Sequence, residues 1–255
     1  MNLEIPLITP VSLKYYNKAR IAKNDTYYRA LDIRLCLEKI SNDLLLQFFS
    51  SDEQTKWNKL TLHDKLKKAE TFMDPDIVNN IINTKIIGNN GVHEGEEANL
   101  KPEDIQHSLN SIQEFSLEIF LAYFKKFGFF HPNDSWVPVI FSTLPPIYRV
   151  KILKKYFQYD KSIHIIDKLA MALLKSNMIE ESYSFIKYCL ENKYLNEYEY
   201  YNFLEKLNIL EEKLDKLPIS QNFVDSKKNF NNLLDSIPEN ERDSFAILVS
   251  MILNG

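Results

Sequence analysis

Asn89 and His93 stand four residues apart in the run Gly88-Asn89-Asn90-Gly91-Val92-His93. An imidazole changes charge near neutral pH, and an amide both donates and accepts. Together they can hold a backbone group, a carboxylate or a phosphate. If a helix continues through Gly88, the two side chains share one face. If it ends there, Gly88 or Gly91 supplies a left-handed cap and both residues line a tight loop. In either case glycine permits close approach of another backbone. The chain has only five glycines, and Gly88, Gly91 and Gly95 fall together, so this run is the main anomaly of the sequence. Arg34 and Glu38, also four apart, lie in a helical pattern and can pair across one turn.

Each of these residues has a simpler account. His93 can be a structural histidine that ties a loop to a helix bundle, and Arg34 with Glu38 a partly buried ion pair. Glu94, Glu96 and Glu97 follow His93, but no second histidine lies at ligand spacing, so a solvated acidic loop is expected and no metal. His63, His107, His131 and His164 are scattered and carry no motif. No Walker motif, paired CxxC, GxSxG elbow or HExxH occurs, and no cofactor is implied.

The elements that must position these groups are helical. Five glycines in 255 residues argue against a sheet-rich fold with many tight turns, and the length suggests two helical units. Ser12 is placed to cap a first helix, and Asp25 a longer one with Tyr28, Leu31, Leu35, Ile40, Leu44 and Phe48 along one stripe. Ser50-Ser51-Asp52 closes that segment. Thr61 opens a third helix, Asp74-Pro75 a fourth that meets the glycine run, and Pro102 a fifth that ends near Gly128. The aromatic stretch from Phe127 to Asp134 breaks the periodicity, which predicts a bundle over 1–128 and a second helical domain over 129–255. Phe127, Phe129, Phe130 and Trp136 read as core at that joint.

In the second half, helices are expected from Pro146, over 162–175, over 180–190 and over 197–214, in antiparallel pairs as in solenoids, though without a fixed repeat period. Ser236-Ile237-Pro238-Glu239 has the spacing of a capping box before a last helix.

A net charge of −4 gives no global footprint for nucleic acid, although a local basic patch is compatible with it. The most basic segment, Arg149 to Lys155, is amphipathic and reads as a solvated face, with a phosphate-binding stripe as the sharper alternative. Tyr194, Tyr198, Tyr200 and Tyr201 interleave with acidic residues, unlike a stacking platform for bases. Cys36 and Cys189 sit in apolar helical patterns as buried, reduced thiols. No apolar run reaches membrane-spanning length and the N-terminal residues lack a secretion signal, so the cytoplasm is the expected compartment and no membrane is expected as partner.

Five runs occur in a fixed order: Tyr15-Tyr16-Asn17-Lys18-Ala19-Arg20, then Ala30-Leu31-Asp32-Ile33-Arg34-Leu35-Cys36-Leu37-Glu38, Thr61-Leu62-His63-Asp64-Lys65-Leu66, Ile86-Ile87-Gly88-Asn89-Asn90-Gly91-Val92-His93, and Lys101-Pro102-Glu103-Asp104. Over residues 12–126 this order resembles a helical domain of unknown function attached to type I restriction-enzyme motor subunits and other phage-defence proteins, a domain that is similar to the HEPN superfamily.

The resemblance implies an all-α, HEPN-like bundle followed here by a helical-hairpin region. It implies a protein partner: a second copy of the chain in a homodimer, or a larger nuclease or ATPase subunit. HEPN ribonucleases cleave RNA without metal, using an arginine and a histidine with four to six residues between them. The histidine moves the proton and the arginine stabilises charge on the phosphate. Before His93 those positions hold Ile86, Ile87 and Gly88. Lys85 is one position too far and lacks the guanidinium fork, and Arg34 would have to enter from another helix. The expectation is a non-catalytic interaction module, with Gly88, Asn89, Gly91, His93, Arg34 and Glu38 as its signature. One alternative is a metal-independent RNase using His93 as general acid/base, with Arg34 or Lys85 as electrophilic support. Another is a nucleic-acid or nucleotide sensor that uses the glycine-rich segment without chemistry.

Overall fold

The computed structural model describes residues 5–90, 100–130, 136–242 and 244–255. Among them it has thirteen α-helices, three one-turn 3-10 helices (Leu45–Phe48, Leu214–Lys216 and Glu239–Glu241) and no strand. The chain divides into two compact units: one holds Met1–Phe127 together with Ile247–Gly255, the other Gly128–Ala246.

The first unit contains α1 (Pro10–Ala19), α2 (Thr26–Asp43), α3 (Ser51–Trp57), α4 (Leu62–Ala69), α5 (Pro75–Asn90) and α6 (Pro102–Phe127). Local chemistry sets most of the starts. The Thr61 hydroxyl accepts from Asp64 N–H while the Asp64 carboxylate accepts from Thr61 N–H, a reciprocal cap. The Asp25 carboxylate accepts from Tyr27 N–H at 2.8 Å, and Pro75 and Pro102 begin their helices where a missing N–H costs nothing.

The first helix starts earlier than Ser12: Thr9 is its N-cap and Ser12 supplies the N–H that Thr9 accepts. Ser50-Ser51-Asp52 does not simply close a segment. Ser50 caps α3 with Glu53 completing the box. Tyr28, placed on the apolar stripe by spacing, is 71% exposed, because α2 buries the face carrying Ala30, Ile33, Leu37 and Ile40 instead. The 26-residue α6 is the central element: Phe115, Ile119, Phe120 and Phe124 are buried, and it packs on α5, α2 and α1.

The second unit contains α7 (Val137–Phe141), α8 (Pro146–Tyr156), α9 (Ile163–Lys175), α10 (Ile179–Glu191), α11 (Glu197–Glu211) and α12 (Phe223–Leu234), with α13 (Ser244–Leu253) beginning in it. Consecutive helices α8, α9, α10 and α11 pack on one another, and the short connections make neighbours antiparallel. Ile166, Ala170, Leu174, Ile186, Cys189, Leu195, Phe203 and Leu207 form a core shared by α9, α10 and α11. The Ser182 hydroxyl donates to the Ala170 carbonyl at 2.8 Å and pins α10 to α9.

The stretches expected as continuous helix at 197–214 and from Pro238 are broken. α11 stops at Glu211 before a separate 3-10 turn, and Glu239 lies in a 3-10 turn that ends in extended backbone at Arg242, so the last helix starts only at Ser244. Phe127 packs on Phe48 and Tyr123 in the first unit, while Phe129 packs on Phe141 and Tyr156 in the second.

α9 and α10 end alike. Met178 N–H bonds to Leu173 C=O and Asn177 N–H to Leu174 C=O; Tyr194 N–H bonds to Cys189 C=O and Lys193 N–H to Leu190 C=O. Both are Schellman caps, and they force positive φ at Asn177 (62°) and Lys193 (59°). Asparagine tolerates that region; lysine pays a steric cost. Lys193→Gly is therefore expected to stabilise the protein by about 1 kcal/mol, seen as a higher denaturant midpoint. An unchanged midpoint would mean that the left-handed cap is not maintained in solution.

Candidate functional site

α2 and α5 come close together at Gly88. A Cβ on this buried glycine would lie 2.8 Å from Arg34 Cβ and 3.2 Å from the Ala30 carbonyl oxygen, so the missing side chain sets the distance between the two helices. α5 runs on to Asn90, which removes the reading of Gly88 as a left-handed helix cap. The physical reason is the crossing itself: glycine is needed here for its lack of volume, not for a positive φ.

One residue further along, the Asn89 amide oxygen accepts from Arg34 Nη1 at 2.8 Å. Arg34 Nε donates to Glu38 Oε1 at 3.1 Å across one turn of α2. The pair is about a third exposed (31% and 37% of the side chains), so it adds less than about 1 kcal/mol to stability and acts mainly by fixing the guanidinium plane. Two of the five guanidinium N–H groups are engaged; the other three meet no acceptor among the described residues.

Four of the residues singled out by sequence therefore converge: Arg34, Glu38, Gly88 and Asn89. Lys85 lies on α5 one turn before Asn89 and is half-buried. Gly91 and His93 lie outside the described residues, as do Glu94, Glu96 and Glu97.

Spacing alone missed Lys65 and Asn42. Lys65, on α4, is 8% exposed and its Nζ donates to the Asn42 amide oxygen on α2 at 2.7 Å. Burial pulls its pKa down, and the Glu38 carboxylate pulls it back up. Glu38 thus stands in the field of two cations, Arg34 on its own helix and Lys65 on another. In the sequence Lys65 stood out only as a member of an amphipathic helix and of the run Thr61 to Leu66.

The arrangement can orient a guanidinium and offer its free edge to an anion. It offers no thiol nucleophile: Cys36 and Cys189 are free and buried, and burial pushes Cys36 well up and Cys189 up to about 12, so both stay protonated near neutral pH. Among the described residues no group of three or more His, Cys, Asp or Glu side chains is placed to hold a metal ion. Nor is any helix long and apolar enough to cross a membrane.

Fold and site define an all-α protein whose signature residues join two helices of one bundle. No family model matches the chain, and neither a curated protein nor a solved structure matches it.

Proposed function

We propose that the chain is a non-catalytic interaction module of a bacterial phage-defence or mobile-element system, whose HEPN-like bundle self-associates or docks to a larger nuclease or ATPase subunit. The use of Arg34 supports this reading best. An arginine that stabilises charge developing on a phosphate must keep its field for the transition state. Here Nε faces the Glu38 carboxylate and Nη1 faces Asn89, so the residue joins α2 to α5 and part of its charge is already compensated.

One observation favours the RNase alternative. The bond to Asn89 brings the guanidinium to the end of α5, whose last residue, Asn90, precedes His93 by three positions in the sequence, with three N–H groups still without an acceptor among the described residues.

Purified full-length protein is expected to leave a fluorogenic single-stranded RNA intact, no faster in turnover than His93→Ala, and to sediment as a dimer in the micromolar range. Cleavage that vanishes in His93→Ala and falls at least about tenfold in Arg34→Lys, the loss expected when the bidentate fork is removed, would replace this reading with the nuclease. A chain that stays monomeric and co-purifies with no second subunit from its native cells would remove the interaction reading itself.

A further inference from the structure

α8 carries Arg149 in its first turn, against α9. Arg149 is only 6% exposed, and its Nε has no hydrogen-bond partner. This departs from the sequence expectation of a solvated basic face. Lys151 and Lys154 do point to solvent, but Arg149 turns into the unit. Lys168 and Lys175 stand two turns apart on one side of α9, both half-buried. Among the described residues none of the three cations makes a hydrogen bond or an ion pair. The neighbouring carboxylate, Asp167, is already engaged by Lys206 of α11.

Burial pulls Arg149 down to about 10 and depresses Lys168 and Lys175. At Lys168 the Asp167 carboxylate offsets part of this while Lys206 and Arg149 add to it; at Lys175 Arg149 and Lys168 add to it and Asp167 offsets part. Three cations therefore share one partly desolvated place whose one neighbouring carboxylate, Asp167, is paired with Lys206, and the positive charge left over favours any ligand supplying negative charge.

The geometry points to an anion site between α8 and α9, made by Arg149, Lys168 and Lys175, that takes a small phosphorylated molecule with at least two negative charges. The guanidinium fork matches two phosphate oxygens, and the two ammonium groups act as adjustable point charges. A carboxylate monoanion would leave two of the three charges uncompensated. An extended polynucleotide would need the cations to continue as an exposed stripe. Instead Lys154, on the solvated side of α8, pairs with Glu181.

The test is calorimetric titration of the full chain with inorganic pyrophosphate in low-salt, phosphate-free buffer, repeated with acetate and with a single-stranded RNA oligonucleotide. One pyrophosphate per chain is expected to bind. Lys168→Gln and Lys175→Gln should each weaken it at least about tenfold, and Lys154→Gln should leave it unchanged within about twofold. Arg149→Met keeps the side-chain length and removes a buried, uncompensated charge. It is expected to abolish binding while unfolding at or above the wild-type temperature, so loss of binding cannot be a loss of fold.

Four results would overturn the site: absence of pyrophosphate binding, acetate binding as tight as pyrophosphate, equal weakening by Lys154→Gln, or binding that survives in Arg149→Met. RNA binding that pyrophosphate does not displace would overturn the small-molecule assignment in favour of a nucleic-acid contact.

Discussion

Gly88→Val is expected to lower the free energy of unfolding by about 3 kcal/mol, and Gly88→Ala by about 1–2 kcal/mol. In an open helix position the alanine variant would do the opposite, since exchanging glycine for alanine stabilises a helix interior by about 1 kcal/mol. Here the added Cβ meets Arg34 Cβ at 2.8 Å and the Ala30 carbonyl at 3.2 Å. Neither is the far end of a flexible side chain, so the helices themselves must part. Valine adds two methyl groups to the same gap. The measurement is the urea midpoint at constant slope. A stabilising Gly88→Ala would show that α2 and α5 do not approach closely in solution. The parting should also reach the candidate site: Asn89→Ala is expected to cost less in the Gly88→Ala background than alone, because the Arg34–Asn89 bond will already have lengthened.

The second large effect is expected at Trp57, the residue that ends α3. It is 1% exposed, its indole N–H donates to the Ser41 carbonyl at 3.1 Å, its ring lies 4.7 Å from that of Phe49, and Lys65 Nζ stands 5.9 Å from its centroid. Trp57→Ala should cost about 3–5 kcal/mol, from lost burial plus the cavity left behind. Trp57→Phe fills most of that volume but leaves the Ser41 carbonyl without its donor, at a cost of about 1–2 kcal/mol. Chemical denaturation of the two variants separates packing from hydrogen bonding. If Trp57→Ala lost less than about 1 kcal/mol, α3 would not belong to the folded core.

What could be read from sequence was what depends on neighbours in sequence. Asp74 and Thr61 satisfy orphan N–H groups of their own first turn, and Pro75 and Pro102 have no N–H to leave orphaned, so the starts of α5, α4 and α6 were visible. Where two local solutions compete, the reading failed. Ser50 and Glu53 form a box that opens a helix where an ending was expected. Pro238-Glu239 has a similar look but yields one 3-10 turn. α12 was missed although Asn222 caps it through the N–H groups of both Val224 and Asp225. α7 has five residues, too few to show a period.

In the candidate site, Arg34 with Glu38 was legible because one turn of one helix joins them. Arg34 with Asn89 was not, because 55 residues separate them and only the α2–α5 crossing brings them together. Gly88 was noticed for its rarity, and its role as a spacer emerged only from what surrounds it. Arg149 was hidden differently: the lysines after it follow a surface period, while its own position in the first turn of α8 turns it inward.

The composition of the first unit has a consequence in time. Its last nine residues, Ile247–Gly255, follow the whole of Gly128–Ala246 in the chain. There Met251 Sδ accepts from Gln47 Nε2, and Gly255 lies beside Pro10. A ribosome making this protein must therefore release all of the second unit before the first can close. The second unit is contiguous and can fold as it emerges; the first must wait, with its central helices formed and one flank uncovered, until synthesis reaches residue 255. That interval is when the nascent bundle is most open to a chaperone.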